Sequence, residues 1–83
     1  MRPIIIWVGD DVLAVGIAET VHTFNVVSRS SIGKFSMDLP INAMSQYTDN
    51  CGKKNLAVAT SDGVFILGGG AYSDMRLKVY SSG

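Results

Sequence analysis

The chain has 83 residues, seven basic and seven acidic side chains, one cysteine and a hydrophobic fraction of 47%. This length fits one domain, which we take as 1–83, and the zero formal net charge excludes an overall basic field that would attract nucleic acid or anionic membranes. A single cysteine excludes an internal disulfide and a thiolate metal cluster, while the high hydrophobic fraction excludes a disordered chain.

The first predicted element is a strand over residues 4–8. These residues are β-branched and aromatic, and Gly9 and Asp10 follow them as a turn signal. An uninterrupted apolar strand is typical of burial on both faces or of cover by a second chain. The segment is too short to span a membrane, because Asp10 and Asp11 interrupt the apolar stretch.

Residues 11–23 allow two interpretations. As a helix, the segment begins at Asp10 or Asp11 and places apolar residues at helical spacing along one face. As strands, residues 12–18 return along the first strand and residues 20–27 form a further one. Gly16 and several β-branched residues weaken the helix, so we favour strands; a helix would change the fold class to α+β.

The next segments alternate between strand and turn signals. Residues 34–41 show period-two alternation of apolar and polar side chains, which predicts a half-buried strand that ends or reaches a sheet edge at Pro40. Residues 42–47 suggest a short helical turn, and residues 48–54 have the composition of a loop.

The strongest local pattern is a hairpin made by residues 55–60 and 64–67. Asp62 and Gly63 stand between the two apolar runs, and Asp-Gly is typical of a type I′ turn. A last, half-exposed strand is expected over residues 75–80. The sequence therefore predicts a mainly β fold, a small antiparallel sandwich or open barrel of five to six strands.

Two short motifs suggest ligand chemistry. Asp10-Asp11 after a strand resembles the acidic start of receiver domains, whose carboxylates hold Mg²⁺, but the phosphoacceptor Asp and the Lys of that family have no counterpart here. Gly68–Gly70 suggests a backbone cradle for an anion, but no phosphate-binding motif surrounds it. Binding of a small molecule or a metal at these places is the second alternative function. We expect no cofactor, no metal and no catalytic residue.

Basic residues suggest a different alternative. Lys53, Lys54 and Arg29 would form a basic surface if neighbouring strand ends align, as in small β domains that bind nucleic acid. Seven carboxylates are interspersed along the same chain, which favours a mixed surface.

The apolar excess for so short a chain favours a non-enzymatic protein-binding or self-assembling module, with a homo-oligomer or another protein as partner. Its size suggests a phage or mobile-element accessory protein that inhibits a host protein. No secretory signal pattern is found, so a cytoplasmic location is expected, without membrane contact. The residues expected to contact the partner are Trp7, Phe65, Tyr72, Arg76 and Lys78.

Overall fold

The computed structural model describes residues 2–68 and 75–81, and in the second range the side chains of residues 79 and 80 alone. The strands in chain order are β1 (Ile4–Trp7), β2 (Val12–Ile17), β3 (Thr20–Asn25), β4 (Ser30–Ser36), β5 (Ile41–Thr48), β6 (Lys54–Thr60), β7 (Gly63–Gly68) and β8 (Met75–Ser81). They form two antiparallel four-stranded sheets, a first sheet in the order β1-β2-β3-β4 and a second in the order β5-β6-β7-β8. The predicted mainly β class is confirmed, with eight strands in residues 2–68 and 75–81 instead of the expected five to six.

The segment with two interpretations is a pair of strands. β2 and β3 form a hairpin whose register runs from Val12 opposite Asn25 to Ile17 opposite Thr20, so the helix over 11–23 is wrong. Ala18 turns the chain with a φ of 55°. The expected helical turn at 42–47 is also wrong, because these residues belong to β5.

The predicted strand over residues 34–41 is not continuous, because the connection between the two sheets lies within these residues. β4 ends at Ser36, and Asp38 then has a φ of 68°, so the regular alternation around it does not reflect one strand. The backbone N–H of Met37 donates to the carbonyl of Glu19 at 2.8 Å, and that of Ile41 donates to the carbonyl of Ala18 at 2.8 Å. The connection is thus fastened to the β2–β3 turn.

The predicted hairpin between β6 and β7 is present, but its turn differs from the expected type I′. Thr60 pairs with Gly63, so Ser61 and Asp62 are the two turn residues. Neither has a positive φ, whereas Gly63 has a φ of 149°. The backbone N–H of Asp62 donates to Oγ1 of Thr60 at 3.1 Å. The hydroxyl of Thr60 therefore helps to hold this turn, together with the Asp-Gly pair that the sequence predicts for it.

The core lies between the facing sides of the two sheets. Among the side chains that the structure describes, nine buried hydrophobic ones form one cluster with members from both sheets: Val8, Ala14, Val21, Phe35, Met37, Leu56, Val58, Phe65 and Leu67. Gly16 on β2 lies against the second sheet, where a Cβ atom would be 3.1 Å from Cε of Met44. Burial of this cluster stabilises the fold by about 25 cal/mol per Å² of apolar surface removed from water.

Candidate functional site

The face of the first sheet that points away from the core is unusually apolar. Side chains alternate between the two faces of a strand. The inward residues Ile6, on β1, and Val8, directly after it, are partly or fully buried, whereas the outward residues Ile5 and Trp7 are each 57% exposed. Because Trp7 is the single tryptophan of the chain, this exposure is accessible to a direct spectroscopic test.

Cross-strand register makes these outward residues part of one patch. Trp7 pairs with Leu13 and Leu13 with Phe24, and one step along the sheet Ile5 pairs with Val15. Directly opposed side chains on one face lie within contact distance, so the members adjoin one another. We call this patch the apolar outer face; it consists of Ile5, Trp7, Leu13, Val15, Ile17 and Phe24.

The same face becomes polar towards β4. Val15 pairs with His22, and His22 pairs with Lys34, which is exposed. Phe24 is opposite Ser31, and a bulge interrupts the register at this point of β4. The outer side of the first sheet is therefore divided into an apolar half on β1 and β2 and a polar half on β4, with β3 between them.

Of the predicted partner-binding residues, Trp7 and Phe65 do not lie on the same surface. Trp7 belongs to the apolar outer face, but Phe65 is 8% exposed and lies in the core opposite Val58, so it is not part of that surface. The backbone of Arg76 is in register with Leu67, and that of Lys78 with Phe65. Their side chains, and Tyr72 as a whole, lie outside the described residues.

Two of the basic residues proposed for nucleic acid, Lys53 and Lys54, lie beside carboxylates. Nζ of Lys54 lies 3.4 Å from Oδ1 of Asp10. The backbone N–H of Val26 donates to the carbonyl of Asp11 at 2.9 Å, which places the turn that carries Arg29 beside the same β1–β2 turn. Lys53 is in the β5–β6 loop, where its backbone N–H donates to Oδ1 of Asp49 at 2.9 Å. This part of the surface therefore carries charges of both signs.

The β5–β6 loop is organised by one carboxylate. Oδ1 of Asp49 accepts hydrogen bonds from the backbone N–H groups of Cys51 and Lys53, each at 2.9 Å. Oδ2 of Asp49 accepts from the amide of Asn55 at 3.4 Å. The hydrogen bond from the Lys53 backbone is the main reason why the pKa of Asp49 is lowered, with smaller contributions from Cys51 and Asn55. The sequence signal for this turn is Asp49 with a glycine three residues later, Gly52, whose φ is 79°.

Asp10 and Gly68, two residues of the suggested ligand motifs, have close neighbours in the fold. Asp10 is paired with Lys54, and a Cβ atom on Gly68 would lie 2.5 Å from Oδ1 of Asn55, so the close approach at this glycine is to a neighbouring strand. Gly69 and Gly70 lie outside the described residues. Within residues 2–68, 79 and 80, no group of three His, Cys, Asp or Glu side chains is arranged to hold a metal ion. Cys51 is exposed in the β5–β6 loop.

The outer side of the second sheet has a different character. A shallow depression of about 120 Å³ lies there, and small side chains of β5, β6 and β7 line it, among them Ala43, Ala57 and Ala59. Its lining offers no charged group to orient a polar ligand. In the part of the chain that the structure describes, no helix has the length and apolarity that a bilayer crossing requires.

Comparison with protein-family models, with curated proteins and with solved structures found no match for this chain. Among the described residues, the apolar outer face combines two aromatic side chains with four aliphatic ones on neighbouring strands.

Proposed function

We propose that the chain is a protein-interaction module that acts by binding and not by catalysis, and that the apolar outer face is its docking surface. The single observation that carries the proposal is the contiguity of this face across β1, β2 and β3. Isolated exposed apolar residues are ordinary, whereas a contiguous patch with a polar border is typical of interaction sites.

The composition of the face supports docking of a protein. Trp7 is 57% exposed, and tryptophan is the residue type most enriched among side chains that dominate binding energy. Covering the face removes apolar area from water, which is favourable by about 25 cal/mol per Å² before the costs of association. The face has no charged group in its apolar half, so its partner must present a similarly apolar surface.

Site-specific photo-cross-linking tests this proposal. A benzophenone amino acid is placed at position 7 on the docking surface or, as the control, at position 47, where Tyr47 is 45% exposed on β5 of the second sheet. After irradiation in extract of cells that produce the chain, we expect a discrete cross-linked protein product from position 7 and none from position 47. Ile17→Lys on the neighbouring strand should abolish that product.

Absence of any product from position 7, or equal products from both positions, would overturn the docking surface. The size of the chain suggests a narrower role, that of a cytoplasmic phage or mobile-element accessory protein that inhibits a host protein. The mass of the cross-linked product tests this role as well. Such a role requires a second, different polypeptide in the product.

A further inference from the structure

We infer that the partner of the apolar outer face is a second copy of this chain, packed face to face about a two-fold axis. The inference rests on the proposed function and names its partner. It follows from three properties of the described residues: the area of the face, the position of its polar border and the charge of the chain.

The area is sufficient for a small dimer. Strand spacing and rise give the β1–β3 part of the first sheet a flat footprint of roughly 300 Å². Accessible surface exceeds the footprint, because side chains such as Trp7 and Ile5 project from it. Two copies in contact would therefore bury on the order of 1,000 Å² in total, which is the lower limit for a specific interface. The expected dimer is accordingly one of moderate affinity.

The division of the face suits an isologous contact. In such a contact the same patch of both copies meets around the axis. If the axis passes near Leu13 and Val15, the apolar halves form a dry centre, and the polar half on β4 becomes a rim open to water. Lys34 and Ser31 then keep their hydration at that rim, as is typical of interfaces.

The charge of the chain removes the main obstacle to self-association. Its formal net charge is zero, so two copies do not repel one another as strongly charged proteins do. Among the outward strand positions of the first sheet, the ionisable side chains are His22 and Lys34, and both lie outside the apolar half. A charged foreign partner would find no complementary charge in that half, whereas a second copy presents an equally neutral surface.

Sedimentation velocity over a concentration series tests the inference. Between roughly 1 µM and 1 mM we expect the mass to rise from the 8.9 kDa of one chain to twice that value, with a midpoint in the micromolar range. The fluorescence emission of Trp7 should shift to shorter wavelength over the same range, since dimerisation removes its indole from water.

Matched variants locate the contact. Ile5→Lys and Ile17→Lys place a charge in the apolar half at positions exposed enough to leave folding intact, which circular dichroism verifies. Each should weaken the dimer at least tenfold. Tyr47→Lys introduces the same charge at a residue that is 45% exposed on β5 of the second sheet, and it should leave the association constant unchanged.

The outcomes separate this inference from the proposed function. A chain that stays at 8.9 kDa at every concentration but yields a heavier cross-linked product from position 7 overturns self-association and leaves the docking surface standing. A dimer that Ile5→Lys and Ile17→Lys do not weaken uses another surface and also overturns the inference. A chain that neither dimerises nor forms a cross-link overturns both.

Discussion

The imidazole ring of His22 stacks on the phenyl ring of Phe24, with ring centroids 6.2 Å apart and ring planes inclined by 13°. The two residues are two positions apart on β3, so both side chains lie on the outer side of the first sheet. Phe24 lies on the apolar side of the border and His22 on its polar side. The border of the docking surface therefore runs between these two rings.

Gly16 leaves room for the side chain of Met44, and its replacement should show how tightly the sheets pack. In Gly16→Ala the added Cβ would lie 3.1 Å from Cε and 3.2 Å from Sδ of Met44. These atoms end a flexible side chain, so we expect a loss of at most about 1 kcal/mol. Gly16→Val overfills the same space and should cost about 1–3 kcal/mol in urea unfolding. A valine variant as stable as the parent would contradict this packing.

Gly68 and Asn55 should behave as a coupled pair. A Cβ atom in Gly68→Ala would meet Oδ1 of Asn55 at 2.5 Å and push the amide away from Asp49 and Lys53. Because Asn55 is buried, we expect a destabilisation of about 1–3 kcal/mol. In an Asn55→Ala background the same change should cost much less, and a double-mutant cycle measures the difference. Additive effects would show that the two residues do not constrain each other.

Asp49 should make the β5–β6 loop sensitive to acid. Hydrogen bonds, chiefly from the Lys53 backbone, lower the pKa of Asp49 in the folded chain. Its contribution to stability is therefore complete above the ordinary value of 3.8 and is lost as the pH falls through the lower pKa of the folded state. Thermal unfolding of the parent and of Asp49→Asn from roughly pH 2 to pH 6 should give a difference that shrinks on acidification. A difference independent of pH would contradict this role.

Ala18 is in a backbone conformation that suits glycine better. Its φ is 55°, which costs a residue with a Cβ atom about 1–2 kcal/mol. Ala18→Gly should therefore raise the midpoint of thermal unfolding. The matched change Ala43→Gly, in the strand β5, should lower it, since glycine costs about 0.5–1 kcal/mol in a strand. Equal signs for the two substitutions would show that the turn is not strained.

The sequence predicted the fold class because β-branched residues, Gly16 and the hairpin signals act locally. It left 11–23 open because β2 is apolar on both faces. Leu13 and Ile17 belong to the outer face and Val21 to the core, so the apparent helical spacing joined residues from opposite sides of a sheet. Periodicity cannot distinguish such a strand from a helix.

Two further elements depended on contacts that no local pattern contains. The apolar alternation over residues 34–41 continues beyond the end of β4. Met37 follows that alternation because it reaches the core, but it does so from a connection that is hydrogen-bonded to the β2–β3 turn. β5 was missed because its side chains are mostly exposed and it shows no apolar alternation. The connection between the end of β4 and the start of β5 is held by hydrogen bonds from Met37 and Ile41 to the β2–β3 turn.

Of the six residues of the apolar outer face, the sequence predicted one, Trp7, as a partner contact. Trp7 follows from the composition of the first strand, whereas Leu13, Val15 and Phe24 join it through the register of β2 and β3. Phe65 looked equivalent to Trp7 in sequence, but its position in the second sheet directs it into the core. The pairing of the strands decides which face of a sheet a residue occupies, and amino-acid composition does not determine that pairing.

Each sheet consists of strands that follow one another along the chain, and the hydrogen-bonded neighbours in the described part are consecutive in sequence. Closing such hairpins costs only the entropy of short loops. All-β proteins usually fold slowly because distant segments must find each other, and within each sheet this chain avoids that search. We expect two meanders that form independently, with the barrier to folding in the step that brings the two sheets together over their shared core.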